Sequence, residues 1–267
     1  MKILFWNIKN NSKCIELLIN DITFEDFDLF FFSEFDENFS NSIITASSRS
    51  LVKLESPVNV KSRIKAFSRL PKKLFSLKEE YTDKFSHYIL KIPDNGININ
   101  LFSVHLISKL HSSENEQYNL ATDLVRKIYS IEEESNNRNS IVVGDFNMNP
   151  FERSMISANA FNAVNYTRIA NMEKRTYMGQ KKFFFYNPMW KYLKDSTKIR
   201  HSYYYTPNHE ESVYFNLFDQ VIIRPCLNRI LPLKNLRILE GLNSIELLKN
   251  GRPSKEFSDH LPLTFEL

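Results

Sequence analysis

The sequence predicts a mixed α/β chain rich in short buried strands, and three observations predict it. Apolar runs of β-branched or aromatic residues stop abruptly at polar ones, as Ser140-Ile141-Val142-Val143 does before Gly144-Asp145. His87–Ile92 and Ile97–Val104 alternate on either side of Pro93-Asp94-Asn95-Gly96, and Asn-Gly between such runs is a strong hairpin signal. Residues 114–134 place Leu120, Leu124, Ile128 and Ile131 on one helical stripe. At 267 residues the chain is long enough to bury a substantial core. No Gly/Ser-rich or Pro-rich linker divides it, so one domain over 1–267 is expected.

Taken in order, Lys2–Trp6 reads as a first strand with Asn7 at its end, and residues 12–20 as a short helix capped by Ser12. Asp28-Leu29-Phe30-Phe31-Phe32 is a buried strand that stops at Ser33-Glu34. A carboxylate directly after so apolar a run needs a partner, a metal ion for instance, or else solvent. The hairpin's second strand ends at His105. Glu132-Glu133-Glu134 in the last turn of the long helix oppose its dipole, which predicts a solvated or frayed end.

The strand at 140–145 delivers Asp145 and Asn147, two residues apart and therefore on one face. Gly144 permits close backbone approach and Pro150 forbids continuation. On this stretch alone a polar β-turn is the alternative. A short helix is expected around 152–160, then an irregular region over 165–212. There Phe183–Tyr192 and Tyr203-Tyr204-Tyr205 interleave aromatics with positive charge, a pattern that suits nucleotide bases and phosphates or ordinary loop packing. Apolar runs at 215–223 and 257–265 carry Asp219 and Asp259-His260.

A composition of 42% hydrophobic residues, with 22 Phe, 12 Tyr and only 5 Gly, excludes disordered and fibrous classes. Cys14 and Cys226 lie far apart without metal-binding spacing, which fits a reducing compartment. The first apolar run is too short for a secretory signal and no run is long enough for a bilayer, so a cytoplasmic protein is expected. The net charge of +4 is uneven. Segments 53–78 and 168–200 together hold 17 Lys/Arg against 3 acids, which leaves the rest of the chain at −10. Such segregation builds an electrostatic footprint for a polyanion, or lysine-rich solvated loops.

Asn7, Glu34, Val104-His105, Gly144-Asp145-Phe146-Asn147, Asp219-Gln220-Val221-Ile222 and Ser258-Asp259-His260-Leu261-Pro262 together resemble, in the same order along the chain, the endonuclease/exonuclease/phosphatase superfamily. The resemblance implies the deoxyribonuclease-I-like fold, an α/β (α+β) four-layer sandwich of two mainly antiparallel mixed β-sheets flanked by helices. It implies metal-dependent phosphoester hydrolysis, with Glu34, Asn7 and Asp259 at a Mg²⁺ or Mn²⁺ site. Asp145 is then expected to activate water, Asn147 to hold it in line, and His260, oriented by Asp219, to contact the phosphate. His105 stands at the position where some members place an acidic or phosphate-contacting histidine. No tyrosine matches the phosphate-contacting residue that repair-type endonucleases place before Gly-Asp-Phe-Asn, which weakens an abasic-site role. The expected activity is a nuclease acting on DNA or RNA, with nucleic acid held by the two basic segments. A phosphatase or phosphodiesterase for a small or lipid phosphate is the alternative, and a binding module that has lost catalysis is a third.

Overall fold

A computed structural model describes residues 1–21, 24–47, 54–56, 63–93, 95–193, 201–206 and 212–267. Its main elements, two large sheets with their helices and two small ribbons (β9–β10 and β12–β13), begin with β1 (Lys2–Asn7), α1 (Ser12–Ile19), β2 (Leu29–Ser33), α2 (Ser40–Ser47), β3 (Ile64–Ser68), β4 (Phe75–Thr82), β5 (Phe85–Lys91) and β6 (Asn98–His105). They continue with α3 (Glu114–Glu134), β7 (Ser140–Asp145), α4 (Arg153–Ile156), β8 (Ala163–Val164), α5 (Thr167–Ala170), β9 (Lys174–Tyr177), β10 (Gln180–Phe183) and β11 (Phe185–Tyr186). Last come β12 (Tyr203–Tyr204), β13 (Phe215–Asn216), β14 (Asp219–Ile223), α6 (Pro225–Ile230), β15 (Lys234–Ile238) and a C-terminal strand, Leu263–Glu266.

The first sheet has the order β15, C-terminal strand, β1, β2, β3, with only β1 and β2 parallel. The second has the order β4, β5, β6, β7, β14, β11, β8, with β6–β7 and β11–β8 parallel. Period-two alternation sends one face of each sheet to a shared core: Ile3, Phe5, Leu29 and Phe31 meet Tyr88, Leu101, Val143 and Val221. The opposite faces are also apolar. Leu4, Trp6, Phe30 and Phe32 pack under α1, while Phe102, Val142 and Ile222 pack under α3. Strands covered on both sides read as continuous apolar runs, which is why these were legible. The result is the predicted helix–sheet–sheet–helix sandwich.

Several local readings are corrected. The α1 cap is Asn11, whose side chain accepts from the Lys13 N–H, rather than Ser12. The run 257–265 is a strand only from Leu263, because Ser258–His260 form a loop and Pro262 offers no N–H to a ladder. The irregular region at 165–212 contains α5, the β9–β10 hairpin, β11 and β12. The β5–β6 hairpin is present, with Gly96 at φ +68°, whereas Asp94 of its turn lies outside the described residues.

Glu132 is not solvated. It is 2% exposed and receives both Nε (2.8 Å) and Nη2 (3.0 Å) of Arg224, itself 1% exposed. The Ser140 hydroxyl adds a third bond at 2.6 Å. A fork-to-carboxylate pair with a further donor satisfies the buried charge and outweighs the helix-dipole penalty that predicted fraying.

Candidate active site

The register of the second sheet assembles half of the site. In parallel β6–β7 pairing His105 lies opposite Asp145, and in antiparallel β7–β14 pairing Asp145 lies opposite Asp219. Three polar side chains thus form one row across the ends of three strands. Gly144 makes that row possible: its φ is +152°, and a Cβ there would stand 1.9 Å from the Val104 carbonyl oxygen. Only glycine lets β7 lie this close to β6.

The other sheet supplies the opposite wall. β1 and β2 are paired so that Asn7 faces Ser33, which brings Asn7 beside Glu34. The Asn7 amide donates to Glu34 Oε1 at 3.1 Å and to Asp145 Oδ2 at 3.0 Å. Its own oxygen accepts the Lys9 N–H at 3.2 Å, so the amide nitrogen is the atom turned toward the two carboxylates. Glu34 and Asn147 both adopt left-handed backbone, φ 49° and 52°, sparsely populated conformations that cluster at functional sites. Asn147 is held twice: its N–H donates to Asp145 Oδ1 (2.8 Å) and its side chain to the Leu106 carbonyl (2.9 Å).

The C-terminal loop closes the site. The Ser258 hydroxyl donates to the Asn7 carbonyl (2.6 Å), and the Trp6 indole donates to the His260 carbonyl (3.0 Å). His260 Nδ1 is 2.8 Å from Asp219 Oδ2, and its Nε2 is 3.7 Å from Asp145 Oδ2. Burial alone would lower the imidazole pKa, but the Asp219 and Asp145 charges and the Asp219 hydrogen bond push it up to about 10. His260 is therefore an imidazolium. Burial raises the Asp219 carboxyl to about 6 against the pull of His260, so the pair is ionised at neutral pH.

His105 behaves differently. Its Nε2 lies 3.6 Å from Glu34 Oε1 and 3.9 Å from Asp145 Oδ2. Burial nevertheless lowers its pKa against the opposing pull of Asp145 and Glu34, which leaves the ring neutral. Asp259 is tied to Lys9 at the cleft edge.

Glu34, His105, Asp145, Asn147, Asp259 and His260 all line one cleft of about 940 Å³, and buried Asn7 and Asp219 lie behind it. Every site residue read from the sequence thus reaches this place. Gln117, Ser202 and Tyr203 were missed. Gln117 ties α3 to the Asn147 carbonyl at 3.2 Å, the Ser202 hydroxyl accepts the Asp219 N–H at 3.1 Å, and the Tyr203 ring lies 4.6 Å from that of His260. No local motif marks the first two, whereas Tyr203 belonged to an aromatic run with no fixed address.

The donor set suits a hard divalent cation. Lys9 is paired with Asp259 and the His260 imidazolium with Asp219, which leaves the Glu34 and Asp145 carboxylates bonded to the shared Asn7 amide, with Arg63 and Lys84 elsewhere in the cleft lining. Asp145, Asp219 and His260 offer ligand atoms within 4.8 Å of one another, but an imidazolium cannot ligate a cation. Glu34 and Asp145, which share the Asn7 amide, are the better-placed oxygens.

The basic segments are divided. Of the described residues in 53–78, Arg63 alone lines the cleft, while Lys65 pairs with Glu37 and Arg69 with Glu25. Lys53 and Lys61, and Lys194, Lys198 and Arg200 of the second segment, lie outside the described residues. Among the described residues no helix is long and apolar enough to cross a membrane.

No protein-family model matches the chain, and no curated protein matches it in sequence. Solved structures do match in fold. An endonuclease/exonuclease/phosphatase family protein from Bacteroides thetaiotaomicron superposes with a TM-score of 0.58 at 14% identity, over 99% of this chain and 96% of that one. A mannosyl-6-phosphatase from the same organism gives 0.56 at 14% identity, over 100% and 98%. TDP2 from D. rerio, complexed with a single-strand DNA product, gives 0.53 at 16% identity, over 100% and 99%. The sandwich is therefore the deoxyribonuclease-I-like fold.

Proposed function

We propose that this chain, which has the fold of the endonuclease/exonuclease/phosphatase proteins, is a divalent-metal-dependent phosphoester hydrolase that cleaves nucleic-acid phosphodiester bonds. The observation that carries the reading is the convergence of Asn7, Glu34, His105, Asp145, Asn147 and the charged Asp219–His260 pair on one cleft. Glu34, with Asp145 or Asp259 nearby, would hold a divalent cation, which would supply charge neutralisation at the phosphate. Asp145 accepts the proton of the attacking water, and its fixed Oδ1, bonded to the Asn147 N–H, directs Oδ2 into the cleft. Asn147 positions that water.

The His260 imidazolium binds a non-bridging oxygen as negative charge builds on phosphorus, and Asp219 keeps the proton on the ring throughout. Neutral His105 turns Nε2 to the same space and can donate to the phosphate or the leaving group. The cleft is open along Arg63, Lys84 and Lys9, which gives a phosphate chain cationic contacts on its rim. A small-phosphate hydrolase remains the second reading, because a mannosyl-6-phosphatase shares the fold and fold does not fix substrate.

The test is an activity panel. Oligonucleotides, single-stranded and duplex, and small phosphate monoesters are incubated with Mg²⁺ or Mn²⁺ and with chelator. Metal-dependent oligonucleotide cleavage is expected; turnover of monoesters with intact oligonucleotides transfers the assignment to the second reading.

A further inference from the structure

The second basic segment forms an arm of its own. Every residue from Lys174 to Lys181 in the β9–β10 hairpin is exposed, including Met178 at the tip (83%). Arg175 lies directly opposite Lys182 in the hairpin register, and Lys174 and Lys181 add two more cations. Like charges directly opposite destabilise a ribbon, and a two-stranded ribbon has little stability to spare. None of these four cations has an ion-pair partner among the described residues, and the acid at the hairpin's base, Glu173, is taken by Arg229. The sequence therefore maintains an uncompensated cluster on a fragile element.

The hairpin does not stand free. The Tyr129 hydroxyl of α3 accepts the Phe183 N–H (3.0 Å), which anchors its base to the helix. Between hairpin and helix runs a groove of about 480 Å³, with Arg126 and Tyr129 on one wall and Tyr177 and Lys182 on the other. Among the described residues Arg126 pairs only with exposed Asp123, the kind of pair that contributes little. The same helix starts at the catalytic cleft, where Glu116 is part of the lining. Thr122, the first helix residue of the groove, is six positions further on, about 9 Å along the helix axis at ~1.5 Å per residue. Exposed Arg153, stacked over Tyr118 at 4.3 Å and bonded to Asn115 of α3, stands on the way.

We propose that the groove between the β9–β10 hairpin and α3 is a second binding site, which holds the single-stranded flank of a nucleic-acid substrate whose scissile phosphate lies in the catalytic cleft. The inference rests on the nuclease reading for what the cleft does. Cations on both walls of a concave groove follow a phosphate chain, and the Tyr177 face offers a base a stacking surface. A bilayer would call for one convex apolar face with its charges to a single side, and here the charges flank a trough.

The experiment compares wild type with an Arg175→Glu/Lys182→Glu variant and with Tyr177→Ala, by anisotropy of a labelled single-stranded oligonucleotide in chelator, where no cleavage occurs. The charge-reversed variant is expected to bind about tenfold more weakly near 0.1 M salt, with a log–log salt slope shallower by about 1.4, at ~0.7 per lost phosphate contact. Tyr177→Ala is expected to lose about fivefold or more. Melting temperature and turnover of a small chromogenic phosphodiester stay at wild-type values. An unchanged affinity and slope overturns the groove, as does loss of binding to phosphatidylserine vesicles with oligonucleotide binding intact. A wild type that binds through the hairpin but never cleaves with Mg²⁺ or Mn²⁺ overturns the nuclease reading and leaves the groove standing; one that cleaves, with an affinity indifferent to charge reversal, does the reverse.

Discussion

Replacing Glu132 by alanine is expected to destabilise the protein by about 3–5 kcal/mol, because it leaves a buried guanidinium without its carboxylate. Arg224 is 1% exposed. Two of its three nitrogens bond Glu132, at 2.8 and 3.0 Å, and the third donates to the Phe184 carbonyl at 3.0 Å. Its guanidinium carbon also lies 3.9 Å from the centre of the Phe185 ring, which packs the group in place. The Ser140 hydroxyl loses its acceptor as well. At roughly 2–4 °C per kcal/mol for a chain of this size class, Tm should fall by about 6–20 °C. The double variant Glu132→Leu/Arg224→Met removes both charges and fills similar volume, and should recover most of that loss. Urea unfolding of the two single variants and the double closes the cycle. A single-variant cost below about 1 kcal/mol, or a double-variant cost equal to the sum of the singles, would refute the reasoning. Catalysis by the folded fraction should not change, since Ser140 and Asp145 stand at opposite ends of β7.

Three further outcomes are expected. Asp145→Ala and His260→Ala should each lower kcat by about 10²–10⁴ with the fold retained by circular dichroism, and wild-type rates in both would remove the site assignment. In Asp219→Asn the charge that holds the His260 imidazolium is gone while burial still opposes it. The wild type should keep activity until pH rises through about 10, and the variant's alkaline limb should move toward the ordinary imidazole value of about 6.5. The sign is the same for stability, where the His260 contribution is complete below about 6.5 and is lost through about 10. A pH–rate profile with an unmoved limb contradicts it. Gly144→Ala drives a Cβ to 1.9 Å from the Val104 carbonyl oxygen and should cost about 3 kcal/mol or more in urea unfolding, while displacing Asp145; a neutral substitution would mean that β6 and β7 are not so closely packed.

Which parts of this molecule were legible in its sequence follows from the range of the interactions involved. β1, β2, β6, β7 and β14 are buried on both faces, so each is announced by its own apolar run, and the polar residue that stops it is announced with it. β4 escaped notice because it is an edge strand with two register shifts, where Lys78, Glu79 and Glu80 break alternation. Glu132 was misjudged because its partner is 92 residues away, and nothing local distinguishes it from Glu133. Charge segregation was visible as a count without an address: it took the register of β9 and β10 to put Arg175 against Lys182, and the groove to set Lys182 against α3.

The site itself combines both kinds of information. Each of its residues sits at a locally readable strand or loop end, yet its chemistry depends on pairings that no spacing encodes. One register step in β7–β14 would turn Asp219 to the opposite face of the sheet and away from His260. The imidazolium would then lose the carboxylate that holds its proton, and burial would leave a neutral ring in its place. On the other side of β7, Gly144 holds the β6–β7 register: on its backbone as it stands, a residue with a Cβ would run into the Val104 carbonyl. The glycine that opens the most recognisable motif in this sequence thus fixes the register that sets His105 beside Asp145, while the pairing on the other edge of the same strand sets Asp219 where His260 meets it.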